Sequence, residues 1–471
     1  MAIHFIPNDP RAGRAAPALR RKTARAERPA DRAGFSHPQP QPGGLAEPGT
    51  PQFLFWQVRE AALAAVRAWE ACAGPHRQWQ GRRKRLPLQP DAGEDLNAFY
   101  DRATVSFFHQ QVGPRTVVHS GASSDVVAHE VGHGLLDALR PDLWDINFLE
   151  VGAFHEAFGD CLAMLTALED RETREKLLVQ APTLRRRNFV ESFGEELAFG
   201  IGKVVPGHNA ALPRRACNRH RFQLPSSLPD DGRPGALINE VHSFAMVFSG
   251  CFWDLIANLY AAAATPGAAA LGRAARRAGT LLIAGARNAV VAPRFFLAVG
   301  RAMAQADDAL HRGANREAIR HAFARHAIVL GPVAAPRGLP RSEPLAAPVP
   351  KAKPTRPVAL DRLHPLLEGV VALAPQGLPP GARGVPTAAL PAPGDTEAEV
   401  QAFVAALLAH RRIDLSGTPA QHTARGAAAV AGRRDHTTHT IRTLGGRKVL
   451  QRKRFMCACH AGVLPARLNA R

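Results

Sequence analysis

His129-Glu130-Val131-Gly132-His133 places two imidazoles four residues apart. On a helix that spacing puts them one above the other on a single face, close enough to share one metal ion. Glu130 stands about 100° round the same helix, near such an ion without needing to bind it. Glu156 follows 23 residues after His133, where a connecting loop can turn the chain back to deliver a third ligand. Three protein ligands leave a fourth position for water, which is the catalytic rather than the structural form of a zinc site. A carboxylate next to that water takes its proton as it attacks a carbonyl and hands it to the leaving amine, and Glu130 is the candidate base. Asp160 falls four residues after Glu156 on the same face, where it can accept the second N–H of His129 and fix the ring's tautomer. One zinc ion and hydrolysis by an activated water are therefore the chemistry to expect.

The elements that must position these groups are legible around them. Ser123, Ser124 and Asp125 are each able to cap a helix that runs through VVAHEVGHGLLDAL to Leu139 and is stopped by Pro141. A second helix, beginning near Gly152, carries AFHEAFGDCLAMLTAL. Gly132 and Gly134 each cost up to about 1 kcal/mol relative to Ala in a helix interior, a cost that close packing of a neighbouring element would justify. Upstream, Phe55, Val58, Ala62, Val66 and Trp69 recur at steps of three and four, one face of an amphipathic helix over Phe53 to Ala73. NAFYDRATVSFFHQ, from Asn97, has the aromatic and β-branched content of strands. Further helices are predicted at 240–262, 265–290, 294–310 and 315–328.

With these residues in place the chain resembles the thermolysin-like gluzincin metalloendopeptidases, whose pattern is HExxH followed on the next helix by ExxxD. SSDVVAHEVGH is similar to the stretch leading into that family's active-site helix, and EVGAFHEAFGD to its glutamate-bearing segment, with about three extra residues in the loop between. The resemblance covers roughly residues 53 to 331. It implies an α+β, zincin-like fold with a reduced β-rich N-terminal lobe, a mainly helical C-terminal lobe and zinc held by His129, His133 and Glu156 between them. It also implies that Asn97 and Ala98 match an edge-strand motif that holds an extended substrate backbone, in the manner of strand addition. Val241-His242-Ser243 looks like the second catalytic segment, whose His donates a hydrogen bond to the tetrahedral intermediate.

Some positions depart from the family pattern. Asn147 stands where an oxyanion-stabilising Tyr is usual, and Leu237-Ile238-Asn239-Glu240 lacks the Asp that orients the catalytic His, leaving Glu240 or Asp230 as substitutes. Arg214 or Arg215 takes the place of an Arg that binds the substrate carbonyl. Asp125 matches one calcium ligand, but Ala167 stands where a Glu is expected, so calcium dependence of the family kind is not predicted.

The 471 residues allow more than one domain. Residues 1–50 alternate Arg, Pro, Gly and Ala without apolar periodicity and are read as a disordered basic leader. The peptidase domain is expected over 51–331, with an N-terminal lobe at 51–140 and a helical lobe at 141–331. A Pro/Ala-rich linker at 332–394 and a small basic module or tail at 395–471 follow, the latter with a hairpin turning at Gly445-Gly446. A formal charge of +20 suits polyanions, yet Arg substitutes for Lys throughout, so compositional drift is preferred and nucleic acid is not the main partner expected. The six cysteines form no disulfide framework, and Cys457-Ala458-Cys459-His460 has no accompanying ligand pair. The opening residues show no apolar core of a signal peptide, and Leu281 to Gly300 is broken by Arg287, Pro293 and Arg294. A cytoplasmic monomer with no membrane span, acting on a peptide or protein substrate, is the default expectation. Two rivals differ in class: a catalytically feeble zinc protein that binds a peptide or partner, and a basic nucleic-acid-associated protein.

Overall fold

The computed structural model describes residues 1–332, 355–375, 393–415 and 436–457. Three short strands come first, β1 (Ala2–Phe5), β2 (Arg20–Thr23) and β3 (Gly34–Ser36), followed by the long helix α1 (Pro51–Ala73). Then come β4 (Arg85–Gln89), β5 (Ala98–Tyr100), β6 (Val105–Phe107), β7 (His109–Gly113), β8 (Thr116–His119), α2 (Ser124–Leu139), α3 (Leu149–Glu169) and α4 (Arg171–Gln180). The chain continues through β9 (Ser192–Phe193), α5 (Glu195–Val204), β10 (Arg214–Arg215) and four helices, α6 (Val241–Ala261), α7 (Ala268–Asn288), α8 (Phe295–His311) and α9 (Arg316–Arg325). The last elements are β11 (Thr355–Ala359), β12 (Val370–Pro375), α10 (Pro393–Ala409), β13 (Ile413–Asp414), β14 (His439–Leu444), β15 (Arg447–Arg452) and β16 (Phe455–Met456). The fold is mixed helix and sheet, as expected.

Local sequence accounts for the ends of the helices that matter. Thr50 caps α1 by accepting from the Phe53 N–H, with Pro51 in the first turn, where its missing N–H costs nothing. Ser123 caps α2 in the same way through the Val126 N–H. α2 packs along α3, and α3 along α6, so the HExxH helix and the helix bearing Glu156 are direct neighbours. Their approach is close because Gly132 faces Gly159: a Cβ at 132 would lie 2.9 Å from the Cα of 159. Phe148, Phe154, Phe158, Phe244 and Phe248 are fully buried around this three-helix centre. Burial of each contributes on the order of 2 to 3 kcal/mol.

The first fifty residues depart from the expected disordered leader. β1 pairs antiparallel with β2, β3 adds parallel to β4, and the stretch is tied to α1 by ion pairs. Lys22 and Arg25 reach the buried Glu60 at 2.6 and 2.9 Å, and Arg28 reaches Glu70 at 2.6 Å. Periodicity could not reveal this, because the partners of these basic residues lie on a helix further along the chain. The expected linker is also partly structured, since β11 and β12 pair antiparallel within it; its remaining residues, 333–354 and 376–392, lie outside the described ones. In the basic module, β11, β12, β15, β14 and β13 form one sheet in that order. β14 and β15 turn at Gly445-Gly446, where both φ values are positive (55° and 78°), a turn that glycine adopts without steric cost.

Leu281 to Gly300 is divided between α7 and α8. The helix among the described residues that is long and apolar enough to cross a membrane is α6, and it is packed inside the protein against α3, α7 and α9.

Strand β16 has the largest consequence for function. It leaves the basic module and adds antiparallel to β5 at the edge of the N-terminal sheet, whose order is β16-β5-β6-β4-β3.

Candidate metal centre and cleft

His129, Glu130 and His133 project from α2, Glu156 and Asp160 from α3 and His242 from the first turn of α6, and all six are buried. Glu156 Oε2 stands 3.2 Å from His129 Nε2 and 3.7 Å from His133 Nε2. Ligands about 2.0 to 2.1 Å from a shared tetrahedral ion stand about 3.3 Å apart, so these separations suit one ion between the three groups. His129, Glu130 and His133 also offer ligand atoms within 4.8 Å of one another. Both ring nitrogens of His133 and both carboxylate oxygens of Glu130 are buried without a hydrogen-bond partner. Polar atoms left this way are costly, and a bound ion with its water would satisfy the His133 nitrogen and the Glu130 carboxylate facing it. The donor set, two imidazole nitrogens and a carboxylate oxygen, fits a zinc ion with an open position.

Electrostatics separate the two glutamates. Burial pushes Glu130 up to about 8, His129 and His242 only partly offsetting it. Burial acts on Glu156 in the same sense, but His242, His133 and His129 overcome it and hold the carboxyl well below its usual range. Burial drives His133 down to about 3, leaving a neutral imidazole with a free lone pair. Desolvation opposes charge on His129, yet the carboxylates of Asp160 and Glu156 prevail and raise it to about 9.

Asp160 makes the contact expected of it, with Oδ1 2.9 Å from His129 Nδ1. It is held in turn by Arg214, whose Nη2 donates to it at 2.7 Å, and by the Ser249 hydroxyl at 3.3 Å. Of the two arginines left open by the sequence, Arg214 therefore faces the site, while Arg215 turns to Glu191 at 2.8 Å. His242 Nε2 lies 3.2 Å from Glu156 Oε2, and its Nδ1 lies 2.7 Å from Glu240 Oε1. Glu240 thus stands where a His-orienting acid is needed, and its other oxygen accepts the His242 and Ser243 N–H groups at the start of α6. Burial works against its charge, but His242 holds it down to about 2. Asp230 faces Asn239 instead.

Other expectations fall differently. The Asn97 side chain folds back, its oxygen accepting from the Ala98 N–H at 2.9 Å, whereas the Ala98 carbonyl accepts from the Cys457 N–H at 2.9 Å. Asn147 is buried and donates to the Asp145 carbonyl. Neither tyrosine serves the centre: the Tyr100 hydroxyl donates to Asp137, and Tyr260 accepts from the Gly267 N–H. His155 is buried, stacked on Phe455 with ring centroids 4.1 Å apart. Of Cys457-Ala458-Cys459-His460, only Cys457 is among the described residues.

Sequence reasoning did not foresee Ser249, the arrival of Phe455, Met456 and Cys457 in the cleft, or a second cluster in which Asp9 and Glu195 join Asp125. Ligand atoms of that acidic trio lie within 4.8 Å of one another. Asp125 alone carried a signal in the sequence; Asp9 is brought to it by the ordered N-terminal stretch, and Glu195 by the first turn of α5.

Compared with known proteins, the chain matches no family model and no curated protein.

Proposed function

We propose that this chain is a zinc metallopeptidase with the zincin-like fold of the thermolysin-like gluzincins, hydrolysing peptide bonds within extended segments. The observation that carries the reading is the convergence of Glu156 Oε2 on Nε2 of His129 and Nε2 of His133, at 3.2 and 3.7 Å, with the unpartnered Glu130 carboxylate in the same cluster. His129, His133 and Glu156 would hold the ion, which when bound acidifies water and polarises the carbonyl.

Each remaining role belongs to a residue of the chain. Glu130, whose two buried carboxylate oxygens have no other hydrogen-bond partner, is suited in its ionised form to accept a proton from water and return it to the leaving nitrogen. His242, set in place by Glu240, points its Nε2 at the position where negative charge develops on a substrate carbonyl oxygen. Asp160 and Arg214 lock His129. The Ala98 carbonyl receives a backbone N–H from a peptide lying along β5.

Metal analysis and hydrolysis of a denatured protein such as casein test this together. The purified chain is expected to carry about one zinc per molecule. His129→Ala loses it, whereas Glu130→Gln keeps the zinc and loses hydrolysis. A zinc-free wild type, or a Glu130→Gln variant as active as its parent, defeats the reading. A catalytically feeble zinc protein of the same fold is favoured by one observation, that both tyrosines are engaged away from the centre; zinc binding without hydrolysis by the wild type would select it.

A further inference from the structure

The cleft beside the metal centre is filled by the chain itself, and the way it is filled has the form of a bound peptide. Phe455 and Met456 pair antiparallel with Tyr100 and Phe99 on β5. The Cys457 N–H donates to the Ala98 carbonyl at 2.9 Å. The Met456 carbonyl oxygen lies 2.5 Å from His242 Nε2. With protons on both ring nitrogens, His242 donates to Glu240 on one side and to this carbonyl on the other. Arg214 Nη1 stands 3.5 Å from the Cys457 carbonyl oxygen. The two atoms so held, the carbonyl carbon of Met456 and the nitrogen of Cys457, are the two ends of one peptide bond.

The side chains agree with the backbone. Phe455 stacks on His133 with ring centroids 4.7 Å apart. Met456 is 1% exposed, so no second peptide can lie in the same place. Cys457 borders a pocket together with Phe193, Leu197, Ile201 and Met246, and its thiol is buried with Arg214, Glu130, His242 and Glu156 around it. A segment whose carbonyl meets the oxyanion donor, and whose next N–H meets the edge strand, is placed as a substrate is placed.

We propose that this strand is the protein's own substrate, the Met456–Cys457 bond being cut within the molecule by the centre it covers. This rests on the peptidase reading above. Water oxygen adds to the Met456 carbonyl carbon as Glu130 takes a proton. The C–N bond then breaks, its electron pair staying on the Cys457 nitrogen, which receives that proton. The new carboxyl group gives up the second proton of that water, so the products are a carboxylate on Met456 and an ammonium terminus at Cys457; one water is consumed and no oxidant or reductant is needed.

Intact-mass spectrometry of the full chain, prepared metal-free and then given equimolar zinc, reads the outcome. The wild type is expected to lose the mass of residues 457–471 in a first-order process whose rate does not depend on protein concentration. Glu130→Gln stays intact, and so does Cys457→Pro, which lacks the N–H held by Ala98. Hydrogen exchange on metal-free Glu130→Gln reads occupancy of the groove without any catalysis. The Cys457 amide is expected to exchange about 100-fold or more slowly than in a free chain, and Phe455→Asp in the same background abolishes that protection. A wild type that hydrolyses casein while its own mass is unchanged overturns self-cleavage and leaves the peptidase reading standing. Unprotected exchange at Cys457 overturns it as well. A chain that binds no zinc and cuts neither casein nor itself defeats the peptidase reading, and self-cleavage with it.

Discussion

Gly159 on α3 lies against the ring of His129 on α2, so close that a Cβ at 159 would fall 2.6 Å from Nδ1. The absence of a side chain at 159 is thus what lets the imidazole turn one nitrogen toward Glu156 and the other toward Asp160. Gly159→Ala is expected to displace the ring. Zinc affinity should fall on the order of 10- to 100-fold, the range for losing an orienting contact, with an overpacking cost of about 1 to 3 kcal/mol. Competition with a zinc-binding dye and a urea titration check the two parts. A folded Gly159→Ala protein with unaltered zinc affinity would show that the ring has room to spare.

The same contact explains how much the sequence could reveal. The HExxH spacing, the ExxxD spacing and the helical periodicity are local, so α2, α3 and the candidate ligands they bring together were readable from residue order alone. Glu240 could be suspected because it sits two residues before His242, and the pairing at 2.7 Å is what such proximity permits. Long-range partnerships had no local trace. Lys22, Arg25 and Arg28 read as a loose basic tract because Glu60 and Glu70 lie on a later helix. Pro357 and its neighbours read as linker, although a proline in β11 is compatible with an edge strand, and β11 is at an edge. Phe455 and Met456 are too short a run to declare themselves a strand without β5 beside them.

Glu240 is expected to act through His242 rather than on substrate. Glu240→Gln keeps an oxygen able to accept the His242 and Ser243 N–H groups, so the cap on α6 should largely survive. It removes the negative charge that favours a doubly protonated His242. Steady-state kinetics on a short peptide should show kcat reduced by about 10-fold or more with KM little changed, the pattern of an interaction made in the transition state. Zinc content and Tm should stay near wild type, and the alkaline limb of the rate profile should move to lower pH. An unaltered kcat, or a loss confined to KM, would remove Glu240 from this role.

Asp9, Asp125 and Glu195 are expected to give the fold a pH dependence separate from the candidate metal centre. Burial lifts all three carboxyls, Asp125 well above its usual range and Glu195 to about 7, with the negative charge of Asp9 adding to the effect on both. In the unfolded chain Glu195 ionises near its ordinary value of about 4.5, while in the folded protein it holds its proton until about pH 7. Its contribution to stability is therefore fully present below about pH 4.5 and is lost as pH rises toward 7. A displacement of this size corresponds to roughly 3 kcal/mol. Asp9 and Asp125 act in the same direction. Glu195→Gln cannot ionise, so in buffers free of added calcium its stability should fall less between pH 5 and pH 8 than that of the wild type. Urea denaturation at the two pH values measures the difference. Parallel changes in the two proteins would mean that the trio is relieved of its repulsion in solution, and calcium titration of the wild type at pH 8 would then show whether a bound cation does so.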